Sequence, residues 1–155
     1  MSAFRAEHSE RAHAFVVSLP AAQAFTLFEP EGERLWAEGW SPRYLHPADG
    51  KAMRGMVFTT SHGNEETIWT LVRHDPGQGL VEYVRITPGS RAGGVLVQCA
   101  ALDAGRTRVN VVYALTGLSE AGNAFIREQD EARYREFIDS WSRAIETTLA
   151  RKTPG

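Results

Sequence analysis

The chain has 155 residues, 43% hydrophobic and 23% charged, with a formal net charge of -2. That length suits one domain with its own core, the composition excludes a disordered or collagen-like chain, and Lys and Arg spread along a nearly neutral chain speak against nucleic acid as a partner. Cys99 is the single cysteine, which excludes an internal disulfide and a cysteine-based zinc site and fits a reducing compartment. The opening MSAFRAEHSERAH has no apolar centre and no later stretch reaches the roughly 20 apolar residues of a membrane span, so a cytoplasmic address without membrane insertion is expected.

In chain order, HAFVVSLP (His13–Pro20) is a β-branched run stopped by proline. It predicts a strand ending at Ser18 or Leu19, with Pro20 opening a short helix over Ala21–Phe28, where its missing N–H costs nothing. A second short helix is expected over Glu29–Trp36, starting at Pro30, with Gly32 unfavourable inside it. RLWAEGWSPRYLHP (Arg34–Pro47) then sets two Trp, a Tyr and a His among Gly39, Pro42 and Pro47. No helix or strand interior accepts that many breakers, and the stretch reads as an aromatic loop.

From Met56 the pattern is a meander. MVFTTSH and TIWTLVRH flank Gly63-Asn64; LVEYVRIT, GVLVQCAAL and TRVNVVYALT each follow a turn signal at Pro76–Gly79, Pro88–Ser90 and Asp103–Gly105. In the last strand Val109, Val111, Tyr113 and Leu115 share a buried face, opposite Arg108 and Asn110. Ser119–Ala150 reads as one long helix with Ser119 as its N-cap. Tyr134, Phe137, Ile138, Trp141, Ile145 and Leu149 fall on one apolar arc of it. Extended toward the N-terminus, the same arc holds Asn123, Arg127 and Asp130, so the stripe turns polar halfway. No repeat or linker interrupts the chain, and residues 1–155 form a single expected domain.

A strand, two short helices, an antiparallel sheet and a long C-terminal helix make an α+β chain with the element order of the helix-grip fold. VSLPAAQAFTLF resembles the opening of the polyketide cyclase/START-like (SRPBCC, Bet v 1-like) superfamily of hydrophobic-ligand-binding proteins. GMVFTT, TIWTLVRHD, GLVEYVRITPG, GRTRVNVVYALTGLS and FIDSWSRAI are similar to that superfamily's strand-by-strand pattern, in order and over nearly the whole chain. The resemblance implies a curved sheet of six to seven strands wrapped around the long helix, with a hydrophobic cavity between them. It does not name the cargo.

In such a fold the aromatic loop passes over the open end of the cavity, making Trp36, Trp40 and Tyr44 roof and lid; packing without a ligand is the plainer alternative. The strand aromatics Phe58, Trp69, Tyr83 and Tyr113 join them as ligand-binding candidates. Arg85 shares a strand face with Tyr83 and Val81, although a solvent-facing position is the simpler reading for it. None of the five histidines has the close spacing of a metal pair, so no metal is expected. His46, among the loop aromatics, suits proton transfer if partly buried. An inward Arg127 needs Asp130, another carboxylate or an anionic ligand beside it; with Asn123 they form a polar trio on the cavity wall, unless the helix overhangs the sheet. No nucleophile elbow, dinucleotide fingerprint or Walker loop is present, and no cofactor is expected.

Three functions fit these residues. The leading one is a binding protein for a small, largely apolar or aromatic molecule held between sheet and helix. The second is a cyclase- or dehydratase-type enzyme on the same scaffold, acting on a polyketide-like or aromatic substrate, with His46 or the Arg127 and Asp130 pair moving protons. The third is a co-chaperone-like interaction module with a solid core and an exposed apolar patch. A homodimer stays open.

Overall fold

Period-two alternation and turn chemistry carry most of the architecture, which a computed structural model describes for residues 3–152. The elements are β1 (His8–Val17), α1 (Ala21–Thr26), α2 (Pro30–Glu33), β2 (Arg43–His46), β3 (Val57–His62), β4 (Glu65–Asp75), β5 (Leu80–Thr87), β6 (Arg91–Asp103), β7 (Arg106–Gly117), α3 (Glu120–Glu128) and α4 (Glu131–Lys152). Every strand pairing is antiparallel, in one seven-stranded sheet of order β1-β7-β6-β5-β4-β3-β2. The meander supplies the order from β2 to β7, and β1 closes it by pairing with β7 from His8↔Thr116 to Val17↔Thr107. This is the expected helix-grip architecture: α4 lies on the inner face, where the Tyr134 hydroxyl donates to the Val111 carbonyl at 2.6 Å. No helix among the described residues is long and apolar enough to cross a membrane.

Four local expectations are corrected. β1 begins at His8, ahead of the β-branched run, because its polar first half still pairs with β7. The aromatic loop contains β2, an edge strand of 4 residues paired only with β3. Pro42 and Pro47 stand just outside it, so neither is asked for a ladder hydrogen bond. Gly32 does not weaken α2: a Cβ there would lie 1.8 Å from the Thr26 carbonyl oxygen, so glycine is what lets α2 fold back on α1.

The fourth correction concerns the long helix, which breaks at Gln129 (φ -82, ψ 65). Asp130 restarts it as an N-cap, its Oδ1 accepting from the Arg133 amide at 2.9 Å. Ser119 caps α3 as expected, accepting from the Gly122 amide at 3.1 Å. Because the break resets the helical phase, the apolar arc holds only within α4. There Tyr134, Ile138 and Ile145 are buried, Trp141 and Leu149 pack against the core at its margin, and Phe137 is partly exposed.

Candidate functional site

The inner face of the sheet is a set of rows running across the strands, and their composition changes from one end to the other. Val81, Val97 and Val111 form an all-aliphatic row, each at most 2% exposed. The next row is Leu71, Tyr83, Val95 and Tyr113. Beyond it stand Trp69, Arg85, Gly93 and Leu115, then Thr87, Arg91 and Gly117, with the Thr67 hydroxyl 2.7 Å from that of Thr87. Glycine at position 93, directly between Arg85 and Leu115, puts no side chain on the face.

At this end α4 touches the sheet through the Tyr113 ring, which packs on Tyr134, Phe137 and Trp141. A cavity of about 690 Å3 lies between sheet and helix, bounded also by the segment after α2 and by α3. Trp36, Trp40, Trp69 and Trp141 all line it. The indole N–H of Trp36 donates to the Leu27 carbonyl at 2.8 Å and that of Trp40 to the Pro30 carbonyl at 2.9 Å. These bonds tie the irregular segment to α1 and α2 and satisfy the polar atom of each ring. The ring of Trp36 lies 5.4 Å from that of Trp141, and Trp40 meets Trp69 edge to face at 5.6 Å. Tyr113 and Phe137 complete the aromatic wall on the α4 side.

Six charged side chains line the same space: Arg11, which pairs with Glu131 at 3.2 Å, the exposed Glu38, and Arg91, Glu65, Arg85 and Glu33. Arg91, with its side chain 7% exposed, is held bidentately by Glu65 at 3.0 and 3.2 Å and lies over the Phe125 ring. The bond from Arg91 holds the Glu65 carboxyl below its ordinary value. Arg85 has no such carboxylate. Its guanidinium donates to the hydroxyls of Thr87 and Thr67, at 3.3 and 3.5 Å, and to the Tyr113 oxygen, and its Nε is buried without an acceptor. Its guanidinium stacks over Trp69, 4.9 Å from the ring centroid, beside the Tyr113 phenol. Burial pushes Tyr113 up to about 12, against the opposing pull of Arg85.

Glu33, at the end of α2, is half-exposed, but the surface it shows belongs to the cavity. Its carboxyl makes no hydrogen bond or ion pair with a described residue, and burial raises it well above its ordinary value of 4.5. Tyr83 sits nearby, its hydroxyl donating to the Phe28 carbonyl at 2.7 Å. An aromatic chamber with one unpaired cation and one acid that resists ionisation can enclose an apolar ring, orient a polar group and hold a proton. Among the described residues no group of His, Cys, Asp and Glu is arranged to hold a metal ion.

Of the residues singled out in the sequence, the fold brings Trp36, Trp40, Trp69, Tyr83, Arg85 and Tyr113 to this cavity. Arg85 is thus turned inward, against the solvent-facing reading. The others stand elsewhere. Phe58 is fully buried behind Trp40 and Trp69, and Tyr44 packs on Phe58 while hydrogen-bonding Glu31. His46 is exposed on β2, away from the cavity. Asn123 is buried as a clamp on the chain before β1: its Oδ1 accepts from the Glu7 amide and its Nδ2 donates to the Arg5 carbonyl, both at 2.9 Å. Arg127 is largely exposed and pairs with Glu7 instead of Asp130, which is spent on capping α4. The trio therefore is no cavity wall, because the arc that placed it there crosses the helix break. Glu33, Arg91, Phe137 and Trp141 line the cavity without having been singled out for it.

Neither a protein-family model nor a curated protein matches the sequence. Solved structures do match. An uncharacterized protein from Rhizobium leguminosarum superposes with a TM-score of 0.68 at 15% identity, over 96% of this chain and 98% of that one. Norcoclaurine synthase from Thalictrum flavum, in complex with dopamine and hydroxybenzaldehyde, superposes with a TM-score of 0.68 at 10% identity, over 97% of this chain and 91% of that one. Ara h 8.0201 does so with a TM-score of 0.65 at 11% identity, over 93% and 99%. The likeness is one of fold, and the chain has the helix-grip fold of Bet v 1-like, SRPBCC proteins.

Proposed function

We propose that this chain binds a small, largely apolar or aromatic molecule in the cavity between the sheet and α4. The observation that carries the reading is a space of about 690 Å3 walled by tryptophan, tyrosine and phenylalanine rings, within the size range of small-ligand pockets. A solid core, which an interaction module on this scaffold calls for, is absent from this half of the molecule. The norcoclaurine synthase structure, with dopamine and hydroxybenzaldehyde, is an instance of the same fold with small aromatic molecules. A cytoplasmic setting suits Cys99, which is buried and whose thiol burial pushes up to about 12, out of reach of easy oxidation.

Native mass spectrometry of protein purified from its own host should show a retained small molecule, and calorimetry should show binding of a neutral aromatic such as 2-naphthamide. Trp40→Ala should weaken that binding about tenfold, the equivalent of roughly 55 Å2 of apolar contact at ~25 cal/mol per Å2. Its melting midpoint should fall less than that of Trp36→Ala, since Trp36 is the more deeply buried ring. No adduct, together with no binding of 2-naphthamide at millimolar concentration, would sink the reading.

Glu33 favours a second reading, an enzyme on the same scaffold acting on a polyketide-like or aromatic substrate. A carboxyl whose hold on its proton is strengthened by burial and which faces a cavity is suited to proton donation. It takes the role that the sequence offered to His46 or to Arg127 and Asp130. Turnover of an aromatic ketone that is lost in Glu33→Gln while 2-naphthamide still binds would establish it; equal turnover in the variant would remove it.

A further inference from the structure

Arg85 is a cation without a counterion in the wall of an apolar chamber. Burial lowers its guanidinium below its ordinary value, yet an arginine stays protonated in any protein, so the charge must be balanced by something. No carboxylate that lines the cavity is paired with it. Glu65 is engaged by both Nη atoms of Arg91, Glu38 is exposed on the segment after α2, and burial raises Glu33 well above its ordinary value, disfavouring its charged form; none of the three pairs with Arg85. What the protein itself offers Arg85 is a ring face, two long bonds to threonine hydroxyls and the neutral Tyr113 oxygen. A buried charge left in that state is costly, and breaking or omitting its partner weakens a fold by more than an exposed pair ever returns. Opposite it the sheet has Gly93, and the free side is the cavity.

We infer that the molecule taken into this cavity carries a single carboxylate, seated on Arg85, with an aromatic body against the tryptophans. The inference rests on the binding reading above and specifies its ligand. Charge decides the class. Arg91 is met by Glu65 and Arg11 by Glu131, while Glu38, exposed on the segment after α2, makes no ion pair with Arg85; Arg85 is therefore the lining cation with no carboxylate at bonding distance, a position that one carboxylate satisfies and a doubly charged phosphate overshoots. Geometry agrees, since a planar guanidinium accepts the two oxygens of a carboxylate side by side. The Tyr113 phenol, protonated at neutral pH because burial pushes it up to about 12, adds a neutral hydrogen-bond donor next to the same position.

The test compares 2-naphthoate with its neutral isostere 2-naphthamide by calorimetry at pH 7 and low salt. Wild type should bind the carboxylate at least about tenfold more tightly, the size of a charge-assisted hydrogen bond. Arg85→Met should bring the ratio of the two affinities to about one, and Arg85→Lys should keep part of the preference. Ligand-free Arg85→Met should melt no lower than wild type, because it removes an uncompensated charge; a midpoint several degrees lower would show Arg85 to be a structural brace and overturn the inference. So would a wild-type ratio near one with 2-naphthamide still bound, which leaves the binding reading standing. If neither compound binds, both fall together.

Discussion

The two halves of the sheet's inner face are built from the same strands in the same register, and they behave as different materials. One half, marked by Val81 and Val111 with Ile138 and Ile145 on α4, is closed and largely aliphatic, with Val97 at its border with the cavity. The other, two to six residues away on the same strands, carries Tyr83 and Arg85, Gly93 and Arg91, Tyr113 and Leu115, and stands open. One step of the pleat separates a row that fills space from a row that leaves it. Stability and chemistry are thus assigned to opposite ends of continuous strands, and changes at one end should be felt little at the other.

The sharpest way to break that division is at Ile138, fully buried on α4. Ile138→Ala should cost about 2–5 kcal/mol, the range for truncating a buried aliphatic, read as a shift of the denaturant midpoint. Affinity for 2-naphthamide should change less than about twofold; a tenfold loss would mean the halves are coupled.

At the open end, Glu65→Gln leaves Arg91 buried and uncompensated. The loss should be about 2 kcal/mol, less than the ~3–5 of a fully buried pair, because the Glu65 side chain is 42% exposed and keeps access to water. Since Arg91 holds the Glu65 carboxyl below its ordinary value of 4.5, the pair's contribution is complete above that value and disappears as pH falls through the lowered one. The gap between wild type and variant should therefore close in acid, and a gap constant down to pH 2 would show that the charge is not what Glu65 contributes.

The smallest effect is expected at Glu33, whose folded-state value lies above 4.5. Wild type should be at its full stability below 4.5 and lose some as pH rises toward the raised value, because the folded state resists giving up the proton. Glu33→Gln has no proton to lose, so it should match wild type at pH 4 and melt about 2–4 °C higher at pH 8. A variant less stable at both pH values would mark the carboxyl as a packing group.

What was legible in the sequence divides along physical lines. The meander was, since alternation and turn residues are local signals, and Tyr113 could be assigned its face from Val109 and Val111 alone. β2 was hidden because a short edge strand needs neither period nor internal donors, and its flanking prolines mimic a loop. The helix break leaves a trace in the sequence: the stripe turns polar at Arg127 and Asp130 because the phase is reset there, and Asp130 is itself an N-cap residue type. Glu33 gave no signal, α2 being too short for periodicity to set its inward side. Arg85 shared a face with Val81 and Tyr83, but a lone charge on a strand reads as outward until its neighbours across β4 and β6 are known.

One feature of the cavity makes it its own reporter. The chain's four tryptophans, Trp36, Trp40, Trp69 and Trp141, all stand in that wall, so the ultraviolet emission of the whole protein originates around one chamber. A quencher or energy acceptor entering it meets every strong emitter at close range, whereas the closed aliphatic end is optically dark. Emission intensity and wavelength should therefore follow occupancy without any label, and unfolding of the silent half should become visible only when it carries the chamber with it.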